Sequence, residues 1–401
     1  MPLVAESLEK WSVLMWTDFD RGLRLYSGNA LDMLKSLPDD SCSGSVCDPP
    51  YGLNFMGSKW DVTLPDPAIW CELHRVLQPG AWIVVFSSTR TLHRLGCQLE
   101  DAGFEPRDLI GWIQYMGFPK SLDCSKALDK AAGAEREIVG KSARHGGGKA
   151  GGAAWNISPE IPMITAPATE LAQLWQGYGT ALKPALEPAF LMRKRPAGTM
   201  AQNIAEHQCG GLNIDGCRHK PGDPAWVGPA GDHSHAWDGL VTTNISAGDY
   251  VNGQTHQVDL QKYKPAGRWP SNTYQCPKVS RSEREQYTEG FTAVQGNEAV
   301  NRKPGTAGLQ SPRAGASRSA AAVRNRHPTV KPRKLMRWLL KLVAPPQQVA
   351  GPIIDPFLGS GTTLLAGLDE GIEVWGSELQ PEYQDLIKHR LHNATQQGWL
   401  F

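Results

Sequence analysis

The sequence predicts an α/β fold of three layers, a mostly parallel sheet between two sets of helices, interrupted by a long inserted region. Three observations predict it. Strand-like apolar runs alternate with helix-spaced runs through residue 116. The same alternation resumes at Arg333 and continues to Leu391. Between them, Ala197 to Ala322 is rich in Gly, Pro, Asn, Ser and Arg and shows little periodicity.

The elements follow in order. Leu23–Tyr26 is a short strand, and Ala30–Leu37 has helical spacing in Leu31, Leu34 and Leu37. Ser43–Cys47 is a second strand. Pro67–Leu77 is a helix with Ile69, Trp70, Leu73 and Val76 on one face and Pro79-Gly80 as its stop. Ala81–Phe86 is continuously apolar, as a strand buried on both faces must be. Leu92–Ala102 is a helix ended by Gly103, and Asp108–Tyr115 is a strand. Leu122–Glu137 is a further helix, the glycine tract of residues 145–152 a loop, and Ala189–Met192 a short strand. After the irregular region come a helix from Leu335 to Val343 stopped by Pro345-Pro346, the strand Pro352–Asp355, the helix Thr362–Gly367, the strand Ile372–Gly376 and the helix Pro381–Leu391. The expected division is therefore residues 1–116 and 323–401 as one sheet domain, 117–196 as an insertion that partly returns to the sheet, and 197–322 as a separate region.

Composition excludes some classes. A chain of 401 residues with a hydrophobic fraction of 40% can bury a real core. No run of about twenty apolar residues could span a membrane. The N-terminal residues lack the basic start and apolar stretch of a signal peptide. The eight cysteines are scattered, and Cys47 and Cys97 sit in apolar runs, which fits reduced thiols in a cytoplasm. His207, Cys209, Cys217, His219 and Cys276 are spaced too widely for a zinc site, so no metal is expected.

The net charge of +1 hides an asymmetry. From Lys262 to Arg337 there are sixteen Lys or Arg and four acidic residues. Such a segment suits phosphate contacts, or it is a solvated loop with spare charge. Arg268, Trp269, Arg313, Arg318, Arg324 and Arg326 are its candidate nucleic-acid contacts, since Arg can meet phosphate or base edges.

Two motifs carry chemistry. Asp355-Pro356-Phe357-Leu358-Gly359-Ser360-Gly361-Thr362-Thr363 puts a glycine turn between a strand and a helix. It resembles a nucleotide-binding turn but lacks the Gly-Lys-Ser/Thr ending of a phosphate loop. Glu378, at the end of the next strand, is placed to accept two ribose hydroxyls. In Asp48-Pro49-Pro50-Tyr51, two prolines remove two backbone donors and keep Asp48 extended. What remains is two acceptors, the Asp48 carboxylate and the Pro49 carbonyl, beside an aromatic ring. A nucleobase amine has two N–H donors, so the acceptors match it and Tyr51 offers a stacking face. Such bonds would aim the amine lone pair at an electrophile.

With these motifs in this order, the chain resembles the S-adenosylmethionine-dependent DNA amino-methyltransferases of the permuted (beta) group. In that family the Asp-Pro-Pro-Tyr motif precedes a target-recognition region, and the glycine turn lies near the C-terminus. His327-Pro328-Thr329-Val330-Lys331-Pro332 matches the segment that closes over the cofactor's methionine end. Leu25-Tyr26-Ser27-Gly28-Asn29-Ala30 resembles the segment near its adenine, with Asn29 where the family usually has Asp. Gly117–Ser121, Leu182–Pro188 and Gly211–Cys217 look like segments of phage and prophage members.

The resemblance implies a permuted Rossmann-like methyltransferase sheet with residues 197–322 as target-recognition region. It implies catalysis by Asp48, Pro49, Pro50 and Tyr51. It implies S-adenosylmethionine held by Asn29, Thr329, Lys331, Pro332, Asp355, Phe357, Gly359, Ser360, Gly361, Thr362 and Glu378. The partner would be double-stranded DNA with a base flipped from the helix, in the cytoplasm of a bacterial cell or a phage-infected host. The chain has no Pro-Cys dipeptide, so ring-carbon methylation is not expected. Asp at the first motif position is commoner among adenine-N6 enzymes; cytosine N4 presents the same two donors and stays open. So does a DNA-binding protein without catalysis, which Asn29 and the long insertion suggest and the intact Asp48 motif opposes. An RNA or protein methyltransferase is the third alternative, although Asn would stand before Pro-Pro-Tyr in the glutamine-modifying group.

Overall fold

The computed structural model describes residues 16–54, 59–115, 117, 121–141, 163–219, 269–294, 322–349 and 351–396. Arg268, Arg313, Arg318 and the glycine tract of residues 145–152 lie outside the described residues. Among those described, no helix is long and apolar enough to cross a membrane. They fall into two compact units: Met1–Gln114 with Leu186–Glu289 and Thr329–Phe401, and Tyr115–Ala185 with Gly290–Pro328.

The first unit is built on a sheet of nine strands. They are β1 (Trp16–Phe19), β2 (Leu23–Ser27), β3 (Cys42–Cys47), β4 (Leu77–Phe86) and β5 (Phe104–Ile113), then β8 (Leu186–Lys194), β9 (Thr273–Gln275), β10 (Ile353–Asp355) and β11 (Val374–Glu378). β6 (Ile138–Lys141) and β7 (Met163–Thr165) form an antiparallel pair in the second unit. The order across the large sheet is β1-β2-β11-β10-β3-β4-β8-β5-β9. β2, β11, β10, β3 and β4 are parallel, and β8 runs antiparallel between β4 and β5. The last two parallel strands of the chain thus lie in the middle of the sheet, between β2 and β3.

Alternation along the strands fills two cores. On β4, Trp82, Val84 and Phe86 join one buried cluster, while Ile83 and Val85 join the other. Ile353 and Val374 face the first, Ile354 and Trp375 the second. Helices Arg333–Val343, Thr362–Glu370 and Pro381–Gln396 cover the first face; Ala30–Lys35, Pro67–Val76 and Leu92–Asp101 cover the second. This is the three-layer arrangement the sequence predicts. Each fully buried Leu or Ile, such as Leu73 or Ile83, contributes about 1.5–3 kcal/mol by leaving water.

Several boundaries differ from the sequence reading. Pro67–Val76 is capped by Asp66, whose side chain accepts from Ala68 N, and β4 starts at once at Leu77. Pro79 and Gly80 therefore lie inside a strand rather than in a stop. The Pro79 carbonyl is held by Asn203 Nδ2 at 2.9 Å. Asn203 belongs to a helix, Met200–His207, that the weak periodicity of this region concealed. The helix expected over Leu122–Glu137 is shorter, Cys124–Ala131, and is followed closely by Gly133 at φ +64°.

The second unit has its own organising charge. Asp129, fully buried, accepts from Ala168 N, Thr169 N and Thr169 Oγ1 and pairs with Arg136 at 2.5 Å. Burial pushes its carboxyl upward, but these bonds outweigh it and bring it down to about 2.

Candidate functional site

β10 and β3 are neighbours, in register Ile353↔Gly44 and Ile354↔Ser45. Their carboxyl ends therefore emerge side by side where the strand order reverses, the usual place for a ligand in a parallel sheet. The glycine turn follows β10 and the Asp-Pro-Pro-Tyr motif follows β3. Two segments some three hundred residues apart in the chain thus meet at one sheet edge.

The turn is fixed by glycines and by one buried acid. Gly361 caps the helix Thr362–Glu370 at φ +78°, and a Cβ there would meet Ile387 at 2.9 Å. Gly376 on β11 lies so close to the turn that a Cβ would fall 2.3 Å from the Asp355 carbonyl oxygen. Asp355 is turned inward: its Oδ1 accepts from Phe357 N at 2.9 Å and its Oδ2 from Thr363 Oγ1 at 2.5 Å. Phe357 packs toward Trp70, with ring centroids 6.0 Å apart. Ser360 is tied to Arg390, a buried residue the sequence reading did not single out, whose Nη1 donates to the Ser360 carbonyl at 2.6 Å. Burial lowers the Arg390 guanidinium to about 10. Thr362 Oγ1 is buried with no hydrogen-bond partner among the described residues.

Burial raises Asp355 to about 7, against the bonds from Thr363 and Phe357; Asp48 adds to the rise. An acid raised by folding adds stability below its unfolded value and loses it as pH climbs through the folded value. A rise from 3.8 to about 7 corresponds to roughly 4 kcal/mol of pH-dependent stability. Asp355→Asn, which cannot ionise, should therefore gain on the wild type by several degrees of melting temperature between about pH 5 and pH 8. Parallel thermal melts at the two pH values test this; a constant difference would mean that Asp355 ionises freely.

Glu378 ends β11 beside the turn. Its Oε2 accepts from Gly359 N at 2.9 Å and its Oε1 from Gln380 N at 2.8 Å. Burial raises it to about 7, partly offset by those two bonds. Asn29, at the end of β2, caps the helix Ala30–Lys35 by accepting from Leu31 N at 2.8 Å. Gly28 N bonds to the Glu378 carbonyl at 3.1 Å, which brings the Asn29 segment alongside. The carboxylate, the glycine turn and Asn29 thus border the carboxyl edge of the sheet, where they set side-chain acceptors beside closely approaching backbone.

At the β3 end, Asp48 Oδ1 accepts from Tyr51 Oη at 2.7 Å, and Asp48 Oδ2 pairs with Lys331 Nζ at 2.6 Å. Lys331 Nζ also donates to Tyr51 Oη at 3.1 Å. Burial pushes the Asp48 carboxyl up, while Lys331 and Tyr51 oppose the shift. Burial and then Asp48 push the Tyr51 phenol up, so it stays a donor. Asp61 Oδ1 accepts from Tyr51 N at 2.7 Å and Gly52 N at 3.0 Å, which fixes the backbone after the prolines.

Lys331 is read from the sequence as a neighbour of the cofactor, yet here its ammonium lies on the Asp48 carboxylate. Pro332 is buried at the start of helix Arg333–Val343, and Thr329 is exposed. The site also includes residues that the sequence reading did not name as such. Glu187 on β8 lies 3.6 Å from Lys331 and 3.1 Å from Lys278. Phe86 and Trp112 present their rings to the Lys331 ammonium at 4.7 and 6.0 Å.

Trp269 is 65% exposed, with the Arg218 guanidinium 5.2 Å over its ring. Arg324 is exposed and Arg326 half-buried. Cys209 and Cys217 donate their thiols to the Ser43 and Trp338 carbonyls, and burial raises both to about 12. Among the described residues no cluster of His, Cys, Asp and Glu could hold a metal ion.

The DNA methylase family N6_N4_Mtase matches residues 43–389. The type II methyltransferase M.ScaI of Streptomyces caespitosus is 36% identical over 135 residues, which are 34% of this chain and 32% of that protein. The chain thus spans about a third of this curated relative. Among solved structures, the M1.HpyAVI–SAM complex is 16% identical, covers 91% of this chain and 98% of its own, and has a TM-score of 0.38. The PvuII DNA methyltransferase (cytosine-N4-specific) is 14% identical, with 91% and 85% covered and a TM-score of 0.42.

Proposed function

Because the chain belongs to the N6_N4_Mtase family of S-adenosylmethionine-dependent DNA methylases, we propose that it methylates the N6 amine of adenine in duplex DNA. The observation that supports this best is the adjacency of β3 and β10, which sets the Asp48 acceptors beside the glycine turn and Glu378.

In this reading S-adenosylmethionine supplies an electrophilic methyl group. Glu378 accepts its ribose hydroxyls, the Gly359–Thr362 turn admits it closely, and Asn29 and the Thr329–Pro332 segment border it. A flipped adenine enters beside Tyr51, whose ring stacks on the base. Asp48 and the Pro49 carbonyl accept the two amine N–H bonds and aim the nitrogen lone pair. The amine is already a nucleophile, so no cysteine is required. Its proton becomes acidic only once the nitrogen carries the methyl group, so Asp48 serves first as acceptor and then as a nearby proton sink.

The motif order places the central strand β10 near the C-terminus, which supports the permuted group. Residues 1–116 and 323–401 would then be catalytic, and 197–322 would supply target recognition, although it also contributes β9 to the sheet. Trp269, Arg324 and Arg326, with Arg268, Arg313 and Arg318, would face DNA.

The test is nucleoside mass spectrometry of DNA from a host that makes neither modified base, after expression of the chain. N6-methyladenine is expected. N4-methylcytosine in its place would overturn the choice of base and keep the chemistry, because both amines offer the same pair of donors.

A further inference from the structure

Lys331 stands between two carboxylates. Its Nζ is 2.6 Å from Asp48 Oδ2 and 3.6 Å from Glu187 Oε2, and its side chain is only 6% exposed. The rings of Phe86, Tyr51 and Trp112 lie 4.7, 5.4 and 6.0 Å from it. A nitrogen with N–H donors, a carboxylate acceptor and surrounding ring faces is the equipment expected of a bound nucleobase amine. The ammonium thus occupies the kind of place that the target amine needs.

The other Asp48 oxygen is taken by Tyr51 Oη. An entering amine therefore meets a carboxylate with both oxygens engaged. Lys331 must yield, and a buried ammonium without a counter-charge is costly. Among the described residues, Glu187 is the second carboxylate within 4 Å of it. Glu187 is itself anchored: its Oε1 pairs with Lys278 at 3.1 Å, leaving Oε2 toward Lys331. Two carboxylates and two ammonium groups leave the cluster neutral, so a short shift of Lys331 changes its partner without changing the total charge.

We propose that Glu187 is a positioning residue that receives the Lys331 ammonium when the target amine takes Asp48. Lys331 thereby guards the free carboxylate and leaves it on loading. The inference rests on the amine-methylating reading above. Glu187 comes from β8, the antiparallel strand, whose first residues lie at the same sheet edge as the ends of β3 and β10. The charged and titratable groups facing Asp48 are Lys331, Tyr51 and Glu187, with Asp355 and Cys47 behind it. Glu187 adds to the upward push on the Asp48 carboxyl.

The experiment compares the full-length wild type, Glu187→Gln, Lys331→Met and the double variant. Single-turnover transfer of tritiated methyl groups to unmethylated genomic DNA is followed across pH. Thermal melts and cofactor titration serve as controls. Glu187→Gln keeps the shape and removes the charge. It should slow transfer roughly tenfold, because Lys331 then stays on Asp48. The acid limb of its pH profile should also move down, a change that mere loosening of the fold would not produce. The double variant should be no slower than Lys331→Met, since without the ammonium nothing needs to be received. A Glu187→Gln variant within twofold of wild type with an unmoved limb would overturn the proposal, as would a double variant whose losses multiply. A wild type that transfers no methyl group would refute the proposed function and this inference with it; an active wild type with an unaffected Glu187→Gln refutes the inference alone.

Discussion

Asp48→Ala is expected to slow methyl transfer by about a thousandfold or more while leaving S-adenosylmethionine affinity within about twofold. The two effects separate because they lie on different strands. Asp48 follows β3, whereas the turn follows β10, Glu378 ends β11, and Gly359 N ties those two together. Alanine removes the acceptor that aims the amine, and the Pro49 carbonyl alone cannot hold both N–H bonds. It also strips Lys331 of its 2.6 Å partner, but Glu187 remains within reach, so the fold should survive. Asp48→Asn should fall between alanine and wild type, since it keeps one oxygen acceptor and loses the charge. Tritium incorporation measures the first effect and calorimetric titration the second. An equal loss of cofactor affinity would show that Asp48 serves the cofactor or the sheet edge rather than the amine.

The sheet was legible where one physical signal dominates. Ala81–Phe86 is apolar on both faces because helices cover both faces, and the structure confirms the strand. Asp66-Pro67 and Pro345-Pro346 mark helix ends by backbone constraints that need no tertiary context. The helix Met200–His207 had a local signal too, the Thr199–Gln202 capping box. Its apolar periodicity is poor, however, because its buried residue is Asn203, which is satisfied by the Pro79 and Cys209 carbonyls. A helix held by one buried amide escapes a reading based on hydrophobic spacing.

The site divides in the same way. Asp48 to Tyr51 and Gly359 to Thr362 are contiguous, so their chemistry shows in the chain. Glu187 is a single acid between Pro184 and Pro188, and only the pairing of β8 with β4 and β5 brings it to Lys331. Asp61 gives no local sign, because its task is to accept two backbone N–H groups of a turn ten residues earlier. Lys331 shows how a motif can place a residue in the right region while its own contact depends on distant strands.

Glu378→Ala should weaken S-adenosylmethionine binding by about a hundredfold or more, since hydrogen bonds to a charged group contribute about 1.5–3 kcal/mol each and two ribose hydroxyls would bond to it. Transfer at saturating cofactor should fall far less, because Glu378 does not touch the amine. The structure adds a pH signature. Burial holds the Glu378 carboxyl at about 7, so the free protein carries it partly protonated near neutrality. Hydroxyl donors favour the ionised form, so binding should release a proton and strengthen from about pH 6 to about pH 8. Glu378→Gln keeps the shape and should lose both the proton release and the pH dependence. Calorimetry in two buffers of different ionisation enthalpy reads the proton directly. A wild type that releases none, with an affinity flat across that range, would mean that the carboxylate is already ionised in the free protein and that Gly359 N and Gln380 N, rather than the ribose, set its charge.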